Sequence, residues 1–390
     1  MPDPVPVLFV VNSLGHGGTE RQLALTLGAL DRAAFPPAVV TLFGGGPNLE
    51  PIRDLGIPVR VLGLPRRALG RAAAEVAAAG RAHGAAIIHT ALVESHFAGR
   101  IAARRTGALA VSHMTNEFES PVRGAEPEPR TAWKAAAVKA AERWTRRWSR
   151  GRLIAVADAV ADSGARFFGV PRSEIPVVRR GFRFDDLDRQ AAAPPGDPPW
   201  SDWAEPRLLA VGRLSPQKGH RYLALALAQV VASFPKAQVA VAGEGPLAAE
   251  LEAIARSAGV EEHLRLAGPR SDVPALLRAA DAFVFPSLWE GAAGALVEAA
   301  ALGAPIVASD IPPHREILDP DRAVLVAPRD AAALAEGVAG VLGDLGGARR
   351  RAAELAKEVR AAHDIEANTR LLEAAYRRFL TERSSARPRR

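Results

Sequence analysis

Short apolar runs alternate with longer stretches of helical periodicity from one end of the chain to the other. The Val/Phe run in PVLFVVN (6–12) reads as a buried strand, and after a Gly-rich turn the amphipathic TERQLALTLGAL predicts a helix. AVVTLFG (38–44), VRVLGL (59–64), AAIIHT (85–90) and LAVSHM (109–114) repeat the strand signature, separated by Ala-rich stretches such as RAAAEVAAAGRAHG. The alternation predicts an α/β chain, with a parallel sheet covered by helices on both faces.

The pattern breaks at DLDRQAAAPPGDPPWSDWAEP (186–206), where four prolines fall within six residues. Such a stretch excludes helix and central strand and predicts an interdomain linker over 186–205. The alternation then resumes with RLLAVG (207–212), AQVAVAG (237–243), LRLAG (264–268), AFVFPS (282–287), APIVASD (304–310) and AVLVAP (323–328). At 390 residues the chain exceeds the size at which one core stops growing. The reading is two Rossmann-like domains, 1–185 and 206–364, with a helix over 365–381 and a basic tail at 382–390 expected to be disordered for want of apolar periodicity.

Composition narrows the chemistry. Cys is absent, which excludes disulfides, a thiolate nucleophile and a cysteine zinc site. The net charge of +7 is carried mostly by Arg in an Ala/Arg/Gly-rich chain, weak grounds for nucleic acid, and none is expected as a partner. The first residues lack a basic n-region, and apolar runs stop well short of the roughly 20 residues of a membrane span. The expectation is a cytoplasmic protein, soluble or peripheral. Basic residues gather at 133–152, where Trp133, Trp144 and Trp148 accompany Arg143, Arg146, Arg147, Arg150 and Arg152. That segment predicts either a helix lying on the inner face of an anionic membrane or one packed on the domain.

Candidate chemistry sits where strands end. NSLGHGGTERQ has Gly15, Gly17 and Gly18 before a helix start, a place for an anion or simply a tight turn. It is not a dinucleotide fingerprint, because Glu20 stands where the third glycine belongs. In VGRLSPQKGHRYL, Arg213 and Lys218 flank a Pro-containing loop at a strand's carboxyl end, which suits a diphosphate as well as two solvated surface cations. In FPSLWEGAAGALVEAAALG, Glu290 falls in the loop and Glu298 on the helix that follows. On a continuous helix that spacing is roughly 12 Å of rise. It is too far for an acid–base dyad and suits two grips on one extended ligand. His113 lies at a strand end, with His89 and His96 around the end of the strand before it. His83, His220, His263, His314 and His363 read as structural. No zinc-ligand spacing occurs, and Asp186/Asp188 and Asp319/Asp321 match a metal motif only formally.

VGRLSPQKG, VAGEGP and LAGPRSDVPALLRAADAFVFPSLWEGAAGALVEAAALGAPIVASD together resemble the family-4 glycosyltransferases of the GT-B fold. The resemblance covers most of 206–340 and is looser in the first half. It implies two Rossmann-like domains facing a central cleft that holds a nucleotide sugar, a last helix returning to the first domain, and retaining sugar transfer (hexosyltransferase type) without metal or cofactor. It implies that Arg213, Lys218, Gly17 and Gly18 serve the diphosphate. Glu290, Glu298, Gly294 and Ala295 would serve the donor sugar and ribose, with Glu290 and His113 at the reacting centre. The acceptor would be a glycan or lipid-linked. Two departures stand out: Ala293 replaces a usual Gly after the first Glu, and Arg180-Gly181 replaces a usual Asn-Gly. A nucleotide-sugar epimerase would need further carboxylates. A non-catalytic nucleotide-sugar or glycan-binding protein is the other alternative.

Overall fold

The computed structural model describes residues 3–15, 17–118 and 132–385, the side chains of 132–135 excepted. The chain divides into two compact units, Met1–Phe182 with Asp364–Arg390, and Arg183–His363.

The first unit carries strands β1 (Val7–Val11), β2 (Pro37–Thr41), β3 (Val59–Val61), β4 (Ile87–Ala91), β5 (Leu109–Met114) and β6 (Arg152–Ala155) in the order β3-β2-β1-β4-β5-β6. Every pairing is parallel, with Phe9 opposite both Val39 and His89. Successive strand residues face opposite ways, so Val7, Phe9 and Val11 enter one core while Leu8 and Val10 enter the other. The first core is closed by the helix Gly18–Ala29 and by the C-terminal helix Ile365–Ser385. Leu372, Tyr376 and Phe379, spaced for one helix face, are buried there. The second core is roofed by the Ala-rich helix Leu69–Ala82 and the helix Val93–Thr106, whose small side chains let both lie close to the sheet. Strand β6 is an element the periodicity does not single out. It is four residues long, begins with Arg152 and follows directly on the basic segment.

The second unit repeats the architecture with β7 (Arg207–Val211), β8 (Gln238–Ala242), β9 (Leu264–Gly268), β10 (Ala282–Phe285), β11 (Ile306–Ser309) and β12 (Val324–Val326), ordered β12-β11-β10-β7-β8-β9 and again parallel. In each sheet the first strand of the unit sits beside the fourth. There the order reverses and the connections leave in opposite directions, opening a crevice at the strands' carboxyl ends.

The linker expectation for 186–205 is corrected. Phe184–Ala192 is a helix of the second unit, since the prolines begin only at 194 and the preceding stretch carries helix-compatible Asp, Leu and Ala. The proline segment itself packs down: Trp200 is buried and its indole N–H donates to the Leu208 carbonyl at 2.9 Å. The division therefore falls at 182/183 rather than after 185, and at 363/364. The expected tail is shortened as well, because the last helix continues to Ser385; residues 386–390 lie outside the described residues.

Candidate functional site

In the second unit the site grows from the loops after β7 and β10, the two strands flanking the crevice. A turn over Pro216–Lys218 follows β7, and Gly219 closes it at φ +64, handing the chain to the helix His220–Ser233. Only glycine suits this point, because a β-carbon would also collide with the Pro286 carbonyl oxygen of the neighbouring loop. The loops are stitched together: Leu288 N–H donates to the Gln217 carbonyl at 2.8 Å and the Gln217 amide to the Trp289 carbonyl at 3.0 Å.

This stitching brings Lys218 Nζ to 2.5 Å from Glu290 Oε1 and 5.1 Å from the Phe285 ring centre. Glu290 is buried. Burial pushes its carboxyl up, but the charge and hydrogen bond of Lys218 oppose this, with smaller contributions from His314 and Ser287. The net result is a carboxylate held below its ordinary value. An ammonium carries three donors, so Lys218 keeps N–H groups beyond the one given to Glu290. Arg213 lies exposed just after β7. Glu298 is buried on the helix Gly294–Ala301, among Leu296, Val297 and Ala299. Gly294 and Ala295 occupy that helix's first two positions, where backbone N–H groups have no acceptor within the helix.

Two histidines read as structural lie beside this pair. His220 and His314 are both buried, and burial pushes each down to about 4. For His220, Lys218 adds to the fall and Glu290 opposes it; for His314, Glu290 is the leading opposing influence. His314 Nδ1 lies 2.7 Å from the Ser309 carbonyl and must be the protonated nitrogen. Its buried Nε2 is left without a partner. The sequence signal for these residues was position alone: His220 follows Lys218-Gly219, and His314 follows the end of β11.

In the first unit, His113 on β5 and His89 on β4 stand edge to face, ring centres 5.3 Å apart, and Tyr376 Oη lies 2.8 Å from His89 Nδ1. Burial, then the charges of Arg180 and His96, push His113 down to about 4, with a backbone contact at Val178 acting the other way. Its Nε2 is buried and unpartnered, so a neutral imidazole faces the site. His113 and His89 line a pocket at the β1/β4 reversal. Gly17 caps and Gly18 begins the first helix, and both are close-packed. A β-carbon on Gly18 would stand 2.5 Å from the Arg180 guanidinium, and one on Gly17 would meet the Glu20 carboxylate.

The basic aromatic segment forms the helix Ala132–Ser149. Glu142 anchors it to the fully buried Arg100 at 2.6 Å. Arg143 donates to the Phe167 carbonyl at 2.5 Å and Arg146 to the Gly151 carbonyl at 3.1 Å, while Arg152 belongs to β6 and pairs with Glu382 at 2.9 Å. Exposed on this helix are Trp144 and Trp148, stacked with ring centres 5.7 Å apart, and Arg147; Arg150 is exposed just beyond. The Trp133 side chain lies outside the described residues. No single helix among the described residues is long and apolar enough to cross a membrane. None of their His, Asp and Glu side chains gather in threes as a metal would need. Asp188 is paired with Arg360, and Asp319 lies 3.5 Å from Arg322.

Residues 16–186 match a family model described as Glycosyltransferase Family 4, and residues 205–344 match one described as Glycosyl transferases group 1. Among curated relatives, a glycogen synthase of Mycobacterium tuberculosis is 34% identical over 240 residues, 60% of this chain and 56% of its own length. The UDP-Gal:alpha-D-GlcNAc-diphosphoundecaprenol alpha-1,3-galactosyltransferase of Escherichia coli is 30% identical over 236 residues, 58% of each chain. The chain thus spans a little over half the length of these relatives. Among solved structures, HepE of Anabaena in complex with UDP and glucose superposes with a TM-score of 0.77 at 20% identity, over 95% of this chain and 99% of that one. Sucrose-phosphate synthase of Thermosynechococcus elongatus gives 0.76 at 19% identity, over 97% and 100%. At such identity these structures speak for the fold, which is GT-B: two parallel six-stranded sheets with flanking helices.

Proposed function

The chain belongs to glycosyltransferase family 4, and from that premise we propose that it moves a hexosyl group from a nucleotide-diphosphate sugar to a hydroxyl of a glycan or lipid-linked acceptor. The observation that carries the reading is the Lys218–Glu290 pair at the strand-order reversal of the second unit. The leaving diphosphate gathers negative charge as the glycosidic bond breaks. The spare N–H groups of Lys218 and the exposed Arg213 oppose that charge without needing to reorganise. Glu290, held ionised, accepts hydrogen bonds from hydroxyls of the donor sugar, and Glu298 from the ribose. Gly294 and Ala295 offer backbone N–H groups to the sugar. In the first unit Gly17 and Gly18 offer bare backbone to a phosphate oxygen, and the pocket holding His113 takes the acceptor. His113 stays neutral near pH 7 and acts by hydrogen bonding rather than by charge.

Transfer retains the donor's anomeric configuration and needs neither metal nor resident cofactor. Uridine is the favoured base, because HepE is seen with UDP and UDP-glucose and the Escherichia coli relative is named for UDP-Gal. Assembly of glycolipid or surface polysaccharide is the favoured setting, since relatives include that enzyme and a phosphatidyl-myo-inositol mannosyltransferase of Mycobacterium leprae, 35% identical over 140 residues. The exposed Trp144–Trp148 stack would then rest on the anionic cytoplasmic face of a membrane.

Thermal stabilisation by UDP-, GDP- and ADP-sugars, followed by assay of nucleoside diphosphate release with glycan acceptors, tests the reading. A chain stabilised by none of the donors and releasing no diphosphate overturns it.

A further inference from the structure

The first-unit pocket is unusual in its charge. Arg179 and Arg180 line it, and among the described residues no carboxylate does. Arg179 pairs with Asp158 at 2.6 Å, and Arg180 stands against Gly18. Around it the lining is apolar or polar but uncharged near neutrality, with Thr19, Gln22, Thr369 and the two neutral histidines His89 and His113. Thr369 is buried and its hydroxyl has no partner, as has His113 Nε2. A guanidinium beside unfilled hydroxyl and imidazole groups matches a phosphoryl group attached to a hydroxylated ring.

Arg180 is also held in place. Its guanidinium rests against Gly18, where a β-carbon would be 2.5 Å away. Its charge reaches both Glu20 and His113. Glu20 is buried in the first turn of the helix behind Gly17, so a carboxyl flanks Arg180 on the side of that helix, while His113 marks the pocket side.

Resting on the glycosyltransferase reading, we propose that Arg180 is a substrate-binding residue of the first-unit pocket that takes a phosphoryl group. That group belongs either to a phosphorylated acceptor sugar or to the donor's diphosphate, and binding experiments separate the two. Titration calorimetry on the full chain uses UDP, glucose 1-phosphate with UDP saturating, and glucose as the neutral control. Loss of one charged hydrogen bond predicts that Arg180→Gln weakens the phosphorylated ligand about tenfold or more. Glucose binding is left unchanged, and Arg180→Lys restores most of the loss. Gly18→Ala pushes the guanidinium aside without removing its charge and should weaken the same ligand. A loss for glucose 1-phosphate identifies the acceptor as the source, and a loss for UDP identifies the donor.

The inference is overturned if Arg180→Gln and Gly18→Ala, folded by circular dichroism, bind both phosphorylated ligands as wild type does. Lys218→Ala is the control that separates it from the wider reading. If that variant loses UDP while Arg180→Gln changes nothing, sugar transfer stands and this inference falls. If wild type binds no UDP at all, the transferase reading falls, and glucose 1-phosphate titrated without UDP still decides Arg180.

Discussion

Lys218 and Glu290 are 72 residues apart in sequence and 2.5 Å apart in space, a buried carboxylate met by a partly buried ammonium. Removing the ammonium strands the carboxylate, which typically costs about 3 kcal/mol or more. Lys218→Ala should therefore lower the urea midpoint, and adding Glu290→Gln should recover much of the loss. Equal midpoints for the single and double variants would show that the pair is not coupled. Both variants should lose transfer by about a hundredfold or more, because charge stabilisation of the leaving diphosphate goes with them.

Acid should destabilise the protein in two adjoining windows. His113, His220 and His314 have folded values near 4 against an ordinary 6.5. Between those values the unfolded chain binds protons that the folded one refuses, so stability falls as pH drops from about 6.5 towards 4, by up to roughly 3 kcal/mol per histidine. Glu290, held below its ordinary 4.5, contributes stability that is present above that value and lost as pH falls through its lower folded value. Urea midpoints measured from pH 8 to pH 3 should follow this course, and His314→Gln should flatten the upper window. An unchanged slope in that variant would mean His314 titrates normally.

Gly219 separates backbone strain from contact. Its φ of +64 alone would penalise Ala by about 1–3 kcal/mol, and Asn far less. The Pro286 carbonyl, however, obstructs any β-carbon. Both Gly219→Ala and Gly219→Asn should lower the melting temperature and weaken donor binding. Full rescue by Asn would show that only φ matters.

Membrane contact, if the Trp144–Trp148 stack provides it, is separable from chemistry. Co-sedimentation with phosphatidylglycerol vesicles should be lost in Trp144→Ala/Trp148→Ala and weakened in Arg147→Gln/Arg150→Gln, with activity on a soluble acceptor preserved. Arg143 and Arg146 make poor probes, since both are tied to backbone carbonyls and their loss would disturb packing. Unaltered sedimentation in the tryptophan variant would dispose of the contact.

EDTA should leave the transfer rate unchanged, and proton NMR of fresh product should show the donor's anomeric configuration kept. Inhibition reversed by added Mg²⁺ would count against the metal-free reading, and an inverted product against retention.

Much of this protein was legible without coordinates. Eleven of the twelve strands among the described residues appear as apolar runs between Gly, Pro and polar punctuation, because burial on a sheet is encoded residue by residue. The exception, β6, begins at Arg152 at the end of a run of arginines, which hides its apolar pattern. The helix Phe184–Ala192 was obscured for a related reason: the prolines that follow it dominate the window.

By itself the sequence determined the alternation of strands and helices, the two-part organisation, and the loop positions of Lys218 and Glu290, since each depends on neighbours a few residues away. Only the tertiary structure decided that these two meet at the β7/β10 reversal and that His220 and His314 lie buried beside them. It also decided that Arg180 leans on Gly18 and lines a pocket to which no described residue brings a carboxylate. Those relationships follow from strand order and from which helix faces pack together. They are free-energy minima of the whole chain, which no local pattern specifies.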